Sequence, residues 1–216
     1  MNIALVDYGA GNIHSAAKAL EIAGKQRGID VHVTAACDSG AILAADRIVL
    51  PGDGAFAHCM TALRNSPGVV EALGQAVLVK NVPFLGICVG MQLLATESEE
   101  HGAHSGLNWL SGKIKRLQPG HFALKVPHMG WNELLKRRAH PLLAGLDLGP
   151  SGQTAYFLHS YHFEPANQDD IIASADYGGP VTALVARGNI AGCQFHPEKS
   201  QALGLTLLGN FLSWQP

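Results

Sequence analysis

Pro83-Phe84-Leu85-Gly86-Ile87-Cys88-Val89-Gly90-Met91-Gln92-Leu93-Leu94 decides the fold of this chain. Its first half is a short, wholly apolar run, the pattern of a strand buried on both faces, and its second half carries Met91, Leu93 and Leu94 on a helix. Gly86 and Gly90 stand two residues either side of Cys88, so strand and helix can approach closely across a sharp turn. A buried strand running straight into a helix is the repeating unit of a parallel α/β sheet.

The same unit recurs toward the N-terminus. Asn2-Ile3-Ala4-Leu5-Val6 is an apolar run stopped by Asp7-Tyr8-Gly9-Ala10-Gly11, after which Ile13, Ala16, Ala17, Leu20 and Ala23 recur at helical spacing. Short strands are predicted at 31–33 and 48–50, the second ending at Pro51-Gly52-Asp53-Gly54, with helices over 55–63 and 69–79. Toward the C-terminus the pattern becomes β-rich, with strands at 113–117, 154–159, 171–175, 181–186 and 190–195, where antiparallel pairing is expected. A helix over 200–214 closes the chain, with Leu203, Leu207, Leu208 and Phe211 on one face. The expectation is α/β: a single three-layer domain over 1–216, its central sheet mixed but mostly parallel and flanked by helices.

Composition excludes several functions. With 216 residues, 47% hydrophobic and 15% charged, the chain can bury a sizeable core and is not disordered. A net charge of −2 offers no footprint for nucleic acid, and the longest basic run, Lys136-Arg137-Arg138, reads as a solvated loop or helix end. No segment has the length of a membrane span or the pattern of a signal peptide, so a cytosolic protein is expected. The four cysteines form no C-x-x-C pair, which argues against a zinc site or a disulfide framework.

Cys88 is the residue that carries chemistry. Gly86-Ile87-Cys88-Val89-Gly90 has the form that sets a nucleophile on a strained strand-to-helix turn. There the partial positive charge of the helix N-terminus favours thiolate over thiol, and the N–H of Val89 is placed to donate to an oxyanion. An unpaired cysteine is more often a small buried residue, the reading adopted for Cys37, Cys59 and Cys193. The turn becomes catalytic only with a base, and His196 in Gln194-Phe195-His196-Pro197-Glu198 is the best placed, because a carboxylate two residues on lies on the same side of an extended segment. Alone, His-Pro-Glu would be an ordinary surface loop; beside the turn it supplies the second and third members of a Cys-His-Glu triad.

Leu85-Gly86-Ile87-Cys88-Val89-Gly90-Met91-Gln92 and Gln194-Phe195-His196-Pro197-Glu198-Lys199-Ser200 resemble the two signature blocks of class I glutamine amidotransferase domains. The resemblance implies that Cys88, His196 and Glu198 cut ammonia from glutamine through a thioester, without cofactor or metal. It implies that Gln92, Glu100, Ser160 and Tyr161 bind glutamine, and that Gly52 and Asp53 complete an oxyanion hole with Val89. Asp53 departs from the family's usual Pro-Gly-Val-Gly wording; its carboxylate is expected to point outward, leaving only the backbone N–H to act.

Three further blocks, Asp7-Tyr8-Gly9-Ala10-Gly11-Asn12-Ile13, Val126-Pro127-His128-Met129-Gly130-Trp131-Asn132 and Tyr156-Phe157-Leu158-His159-Ser160-Tyr161, resemble the histidine-biosynthesis branch of the family. Members of that branch pass ammonia to a separate (β/α)8-barrel cyclase in a heterodimer, and the resemblance places Asn12 and Trp131 at the partner interface. Taken singly, Asn12 could be only an N-cap, and His128, Trp131 and Tyr161 only core or rim residues. The alternatives are a glutaminase serving pyridoxal phosphate synthase, a paralogue aminating another acceptor, and a non-catalytic interaction module. The Asn12 and Trp131 blocks argue against the first, and the intact triad against the last.

Overall fold

The computed structural model describes residues 1–120 and 124–216. In chain order its strands are β1 (Asn2–Val6), β2 (His32–Ala36), β3 (Arg47–Gly52), β4 (Phe84–Cys88), β5 (Glu97–Ser98), β6 (His104–Ser105), β7 (Gly112–Arg116), β8 (His128–Glu133), β9 (Leu135–Lys136), β10 (Thr154–His159), β11 (Tyr161–Pro165), β12 (Ile171–Asp176), β13 (Pro180–Arg187) and β14 (Ile190–Cys193). The α-helices are α1 (Ile13–Arg27), α2 (Ser39–Leu43), α3 (Phe56–Asn65), α4 (Val69–Gly74), α5 (Val89–Gln92) and α6 (Gln201–Ser213).

An eight-stranded sheet in the order β2-β1-β3-β4-β14-β13-β12-β9 forms the middle layer. The β2-β1-β3-β4-β14 half is parallel, and β14-β13-β12-β9 is antiparallel, so the sheet is mixed as the sequence implies. Right-handed crossovers put the helix of the β1-to-β2 step and those of the opposite steps on opposite faces, and α1 accordingly packs on α6 while α2 packs on α4. A two-stranded antiparallel sheet β8-β10 and a four-stranded sheet β11-β7-β5-β6 build up one end.

Ile48, Val49, Leu50, Phe84 and Leu85 are wholly buried at the centre, each such large side chain contributing about 1.5–3 kcal/mol. The parallel half therefore sets the carboxyl ends of β3, β4 and β14 side by side. Gly52 pairs with Cys88, and Cys193 with Ile87. A side chain on Gly90 would fall on the Leu50 carbonyl, and one on Gly86 would meet the Gly90 carbonyl 2.5 Å away, so both glycines are required by the close approach.

The structure corrects several sequence expectations. The helix after Cys88 is a single turn ending at Gln92; Leu93 and Leu94 lie beyond it. The helix over 69–79 is α4 followed by a π-helical turn, Gln75–Val79. β8 and β11 were not anticipated, because Gly130 interrupts one and Pro165 ends the other in a polar context. Lys136-Arg137-Arg138 is not simply solvated: Lys136 lies in β9, and the Arg138 guanidinium donates to the Asp169 and Ala186 carbonyls at 2.6 and 2.8 Å. Cys37 is exposed rather than buried.

Candidate active site

Cys88 ends β4 with φ 54° and ψ −112°, a backbone conformation that costs a non-glycine residue on the order of 1–3 kcal/mol. The strand on each side and the glycine contacts over-determine it. Its side chain lines a cavity of about 240 Å³ together with Asp53, Gly54, Val89, Gln92, Glu100, Pro127, Leu158, His159, Ser160 and Tyr161. The fold thus brings together sequence-selected residues from four segments: Asp53, Cys88 to Gln92, Glu100, and Ser160 with Tyr161.

His196 and Glu198 follow β14, the neighbour of β4. His196 Nδ1 lies 2.9 Å from Glu198 Oε1, and both side chains are buried. The pair does not form as expected: residues 197–199 are a 3-10 turn, and it is this turn, not an extended segment, that folds the carboxylate back onto the ring. Nδ1–H donating to Glu198 leaves Nε2 as the working nitrogen, and Nε2 makes no hydrogen bond. Burial lowers the ring's proton affinity, but the nearby Cys88 and the hydrogen-bonded Glu198 carboxylate outweigh it and raise it to about 10.

Gln92 is almost fully buried, and its Nε2 donates to the Tyr161 carbonyl at 2.9 Å and to Gln194 Oε1 at 3.0 Å, so only Oε1 remains for a ligand. Glu100 lines the cavity but spends one oxygen on the Phe56 N–H, 2.7 Å away at the start of α3. Asp53 is exposed, and its carbonyl accepts from the Cys59 thiol at 3.3 Å. Just upstream, the Tyr8 hydroxyl donates to the Pro51 carbonyl at 2.8 Å. Gly52 is buried next to the cavity-lining Asp53, and an added Cβ there would come within 2.7 Å of the Gly90 nitrogen.

Asn12 and Trp131 lie outside the cavity. Asn12 is exposed and caps α1, its Oδ1 accepting from the Ser15 N–H at 3.1 Å. Trp131 is 48% exposed and packs edge-on against Tyr156 across the β8–β10 pair.

Sequence reasoning missed Gln194, Tyr8 and His159. The signal for Gln194 was present: an amide stands two residues before His196, where the apolar run of β14 ends, and its side chain is wholly buried. His159 is part of a polar chain. Its Nδ1 donates to the Tyr161 carbonyl at 2.9 Å, its Nε2 accepts from His128 Nδ1 at 3.0 Å, and His128 Nε2 accepts from Asn132 Nδ2 at 3.2 Å. Burial lowers His128 to about 4 and His159 to about 3, so both rings are neutral, as that pattern of donors requires.

A family model described as Glutamine amidotransferase class-I matches residues 4–213. The chain is 52% identical over 217 residues to the imidazole glycerol phosphate synthase subunit HisH of Rhodospirillum rubrum, and 54% identical over 216 residues to that of Bradyrhizobium diazoefficiens, covering 100% of each relative. It is similar in fold to the CTPS glutaminase domain of Trypanosoma brucei, with TM-score 0.64 and 17% identity over 100% of this chain and 95% of that one.

Proposed function

The chain belongs to the class-I glutamine amidotransferase family, and from that premise we propose that it is the glutaminase subunit of an imidazole glycerol phosphate synthase. It hydrolyses glutamine to glutamate and ammonia. The ammonia passes to a (β/α)8-barrel cyclase, which forms imidazole glycerol phosphate and aminoimidazole carboxamide ribotide. The observation that carries the chemistry is a cysteine at positive φ on the wall of a cavity, with a buried His-Glu pair just beyond the end of the adjacent strand.

The Cys88 thiolate attacks the side-chain carboxamide carbon of glutamine, and the carbonyl electron pair moves to oxygen. The Val89 N–H, with backbone N–H groups at Gly52 and Asp53, meets that oxyanion. Imidazolium Nε2–H of His196 gives its proton to the departing nitrogen, the C–N bond breaks, and ammonia leaves a thioester on Cys88. Neutral His196 then takes a proton from water, hydroxide adds to the thioester, and the carbon–sulfur bond breaks to release glutamate. Glu198 holds the imidazole with Nε2 toward the sulfur and stabilises its charge.

Glutamine turnover measured with and without the cyclase, on wild type and Cys88→Ala, tests both halves. Turnover should rise with the cyclase and vanish in the variant, while the complex carrying Cys88→Ala should still use free ammonium at high pH. Activity in the alanine variant removes the nucleophile; activity indifferent to the cyclase removes the subunit assignment.

A further inference from the structure

The Gln194 side chain is wholly buried, and its Nε2 lies 3.7 Å from Cys88 Sγ. Which end of this amide meets the sulfur is decided two residues away. The Tyr161 carbonyl can only accept, so Gln92 must turn its NH2 toward it, and the second hydrogen of that NH2 faces Gln194 Oε1. Gln194 is thereby left with its own NH2 directed at Cys88. The Tyr161 carbonyl is itself held by His159 Nδ1, so the orientation is set by a connected series of buried groups.

We propose that Gln194 is a catalytic residue that donates a hydrogen bond from its side-chain amide to the Cys88 thiolate. The need for such a donor follows from the local fold. α5 is one turn long, too short to bring much dipole to the sulfur, and His196 is the cation whose proton is spent on the leaving nitrogen. An amide N–H favours the anionic nucleophile without having a proton to lose at any working pH. As sulfur becomes a thioester its charge disappears and the hydrogen bond weakens, so Gln194 acts on the free enzyme and again as the thiolate is expelled. A buried glutamine that merely filled space would meet the sulfur equally well with its carbonyl; the Gln92 link forbids that.

The proposal rests on Cys88 as nucleophile, yet its test needs only the thiol. Alkylation of Cys88 by iodoacetamide is followed across pH in the full chain, the Cys88 peptide being read by mass spectrometry so that exposed Cys37 does not interfere. Gln194→Met removes the donor at similar length, and Gln194→Glu replaces it by an acceptor. In both, the alkylation midpoint should move to higher pH by about one unit and the rate at neutral pH should fall roughly tenfold, the effect of one charged hydrogen bond. A midpoint unmoved in folded variants overturns the proposal while leaving the nucleophile in place. Should the variants not fold, the Gln194 side-chain amide resonances of ¹⁵N-labelled wild type must move with the alkylation midpoint and stay still in Cys88→Ala. Resonances that ignore the thiol also overturn it.

Discussion

His196 Nδ1 and Glu198 Oε1 are 2.9 Å apart with one residue between them, and both side chains are buried. Burial opposes charge on the ring, but Cys88 and Glu198 outweigh it and raise His196 from 6.5 to about 10. A group whose value is raised by folding stabilises the fold fully below its unfolded value, and that contribution is lost as pH climbs through the folded value. Wild type should therefore lose stability relative to His196→Gln as pH rises from 6.5 to about 10, and the two should run parallel below 6.5. Urea midpoints across a pH series measure this. A difference that stays constant through the window would mean that the ring is not charged in the fold.

Cys88 sits at φ 54° and ψ −112°, where a side chain is strained and glycine is not. In an ordinary strand or helix, glycine is less stable than alanine by roughly 0.5–1 kcal/mol. Here the order should invert, with Cys88→Gly more stable than Cys88→Ala by about 1 kcal/mol, since both variants lose the thiol and differ only in Cβ. Denaturant unfolding of the two inactive proteins decides it; alanine the more stable would show a relaxed turn.

The Tyr8 hydroxyl donates to the Pro51 carbonyl, and Gly11 approaches so closely that its Cβ would lie 3.2 Å from the Gly52 nitrogen. Burial pushes the Tyr8 hydroxyl far above the usual tyrosine range, so it stays a donor at working pH. Tyr8→Phe leaves the carbonyl unpartnered at a cost of about 1 kcal/mol in stability. Because Pro51 leads directly into Gly52 and Asp53, kcat for glutamine with the cyclase present should fall about tenfold with little change in KM, as for a misplaced oxyanion donor. Steady-state kinetics test this, and an unchanged kcat would confine Tyr8 to structure.

The parallel half of the fold and the site on it were legible because both rest on local patterns. Apolar runs of strand length gave β1, β3 and β4, and the glycines around Cys88 gave the turn whose tightness the Leu50 and Gly90 carbonyls enforce. What stayed hidden depends on contacts distant in sequence. The approach of Gln194 to Cys88 needs β14 beside β4, the hold of Tyr8 on Pro51 needs β1 beside β3, and the ties of Arg138 need the far sheet edge. The shortness of α5 was invisible because Leu93 and Leu94 continue an apolar spacing after the hydrogen bonding has stopped.

Trp131 and Tyr156 face one another in the β8–β10 register, their rings edge to face with centroids 5.7 Å apart. Met129 projects on the same side of β8 as Trp131, and the two are 66% and 48% exposed, an apolar pair that the described residues leave uncovered. Tyr156 limits the positions open to the indole, so little ordering remains to be lost when a partner closes over it, which is the condition for an interface anchor. Trp131→Ala should therefore raise the Kd for the cyclase about thirtyfold, or about 2 kcal/mol, while shifting the unfolding free energy of the free chain by about 0.5 kcal/mol or less. Saturating cyclase should restore kcat, since the indole lies outside the Cys88 cavity. Calorimetric titration gives the affinity and turnover at saturation gives the rate. Unchanged affinity would place the interface elsewhere, and a kcat that saturation cannot restore would mean that Trp131 also acts on the cavity through the neighbouring Asn132, His128 and His159 chain.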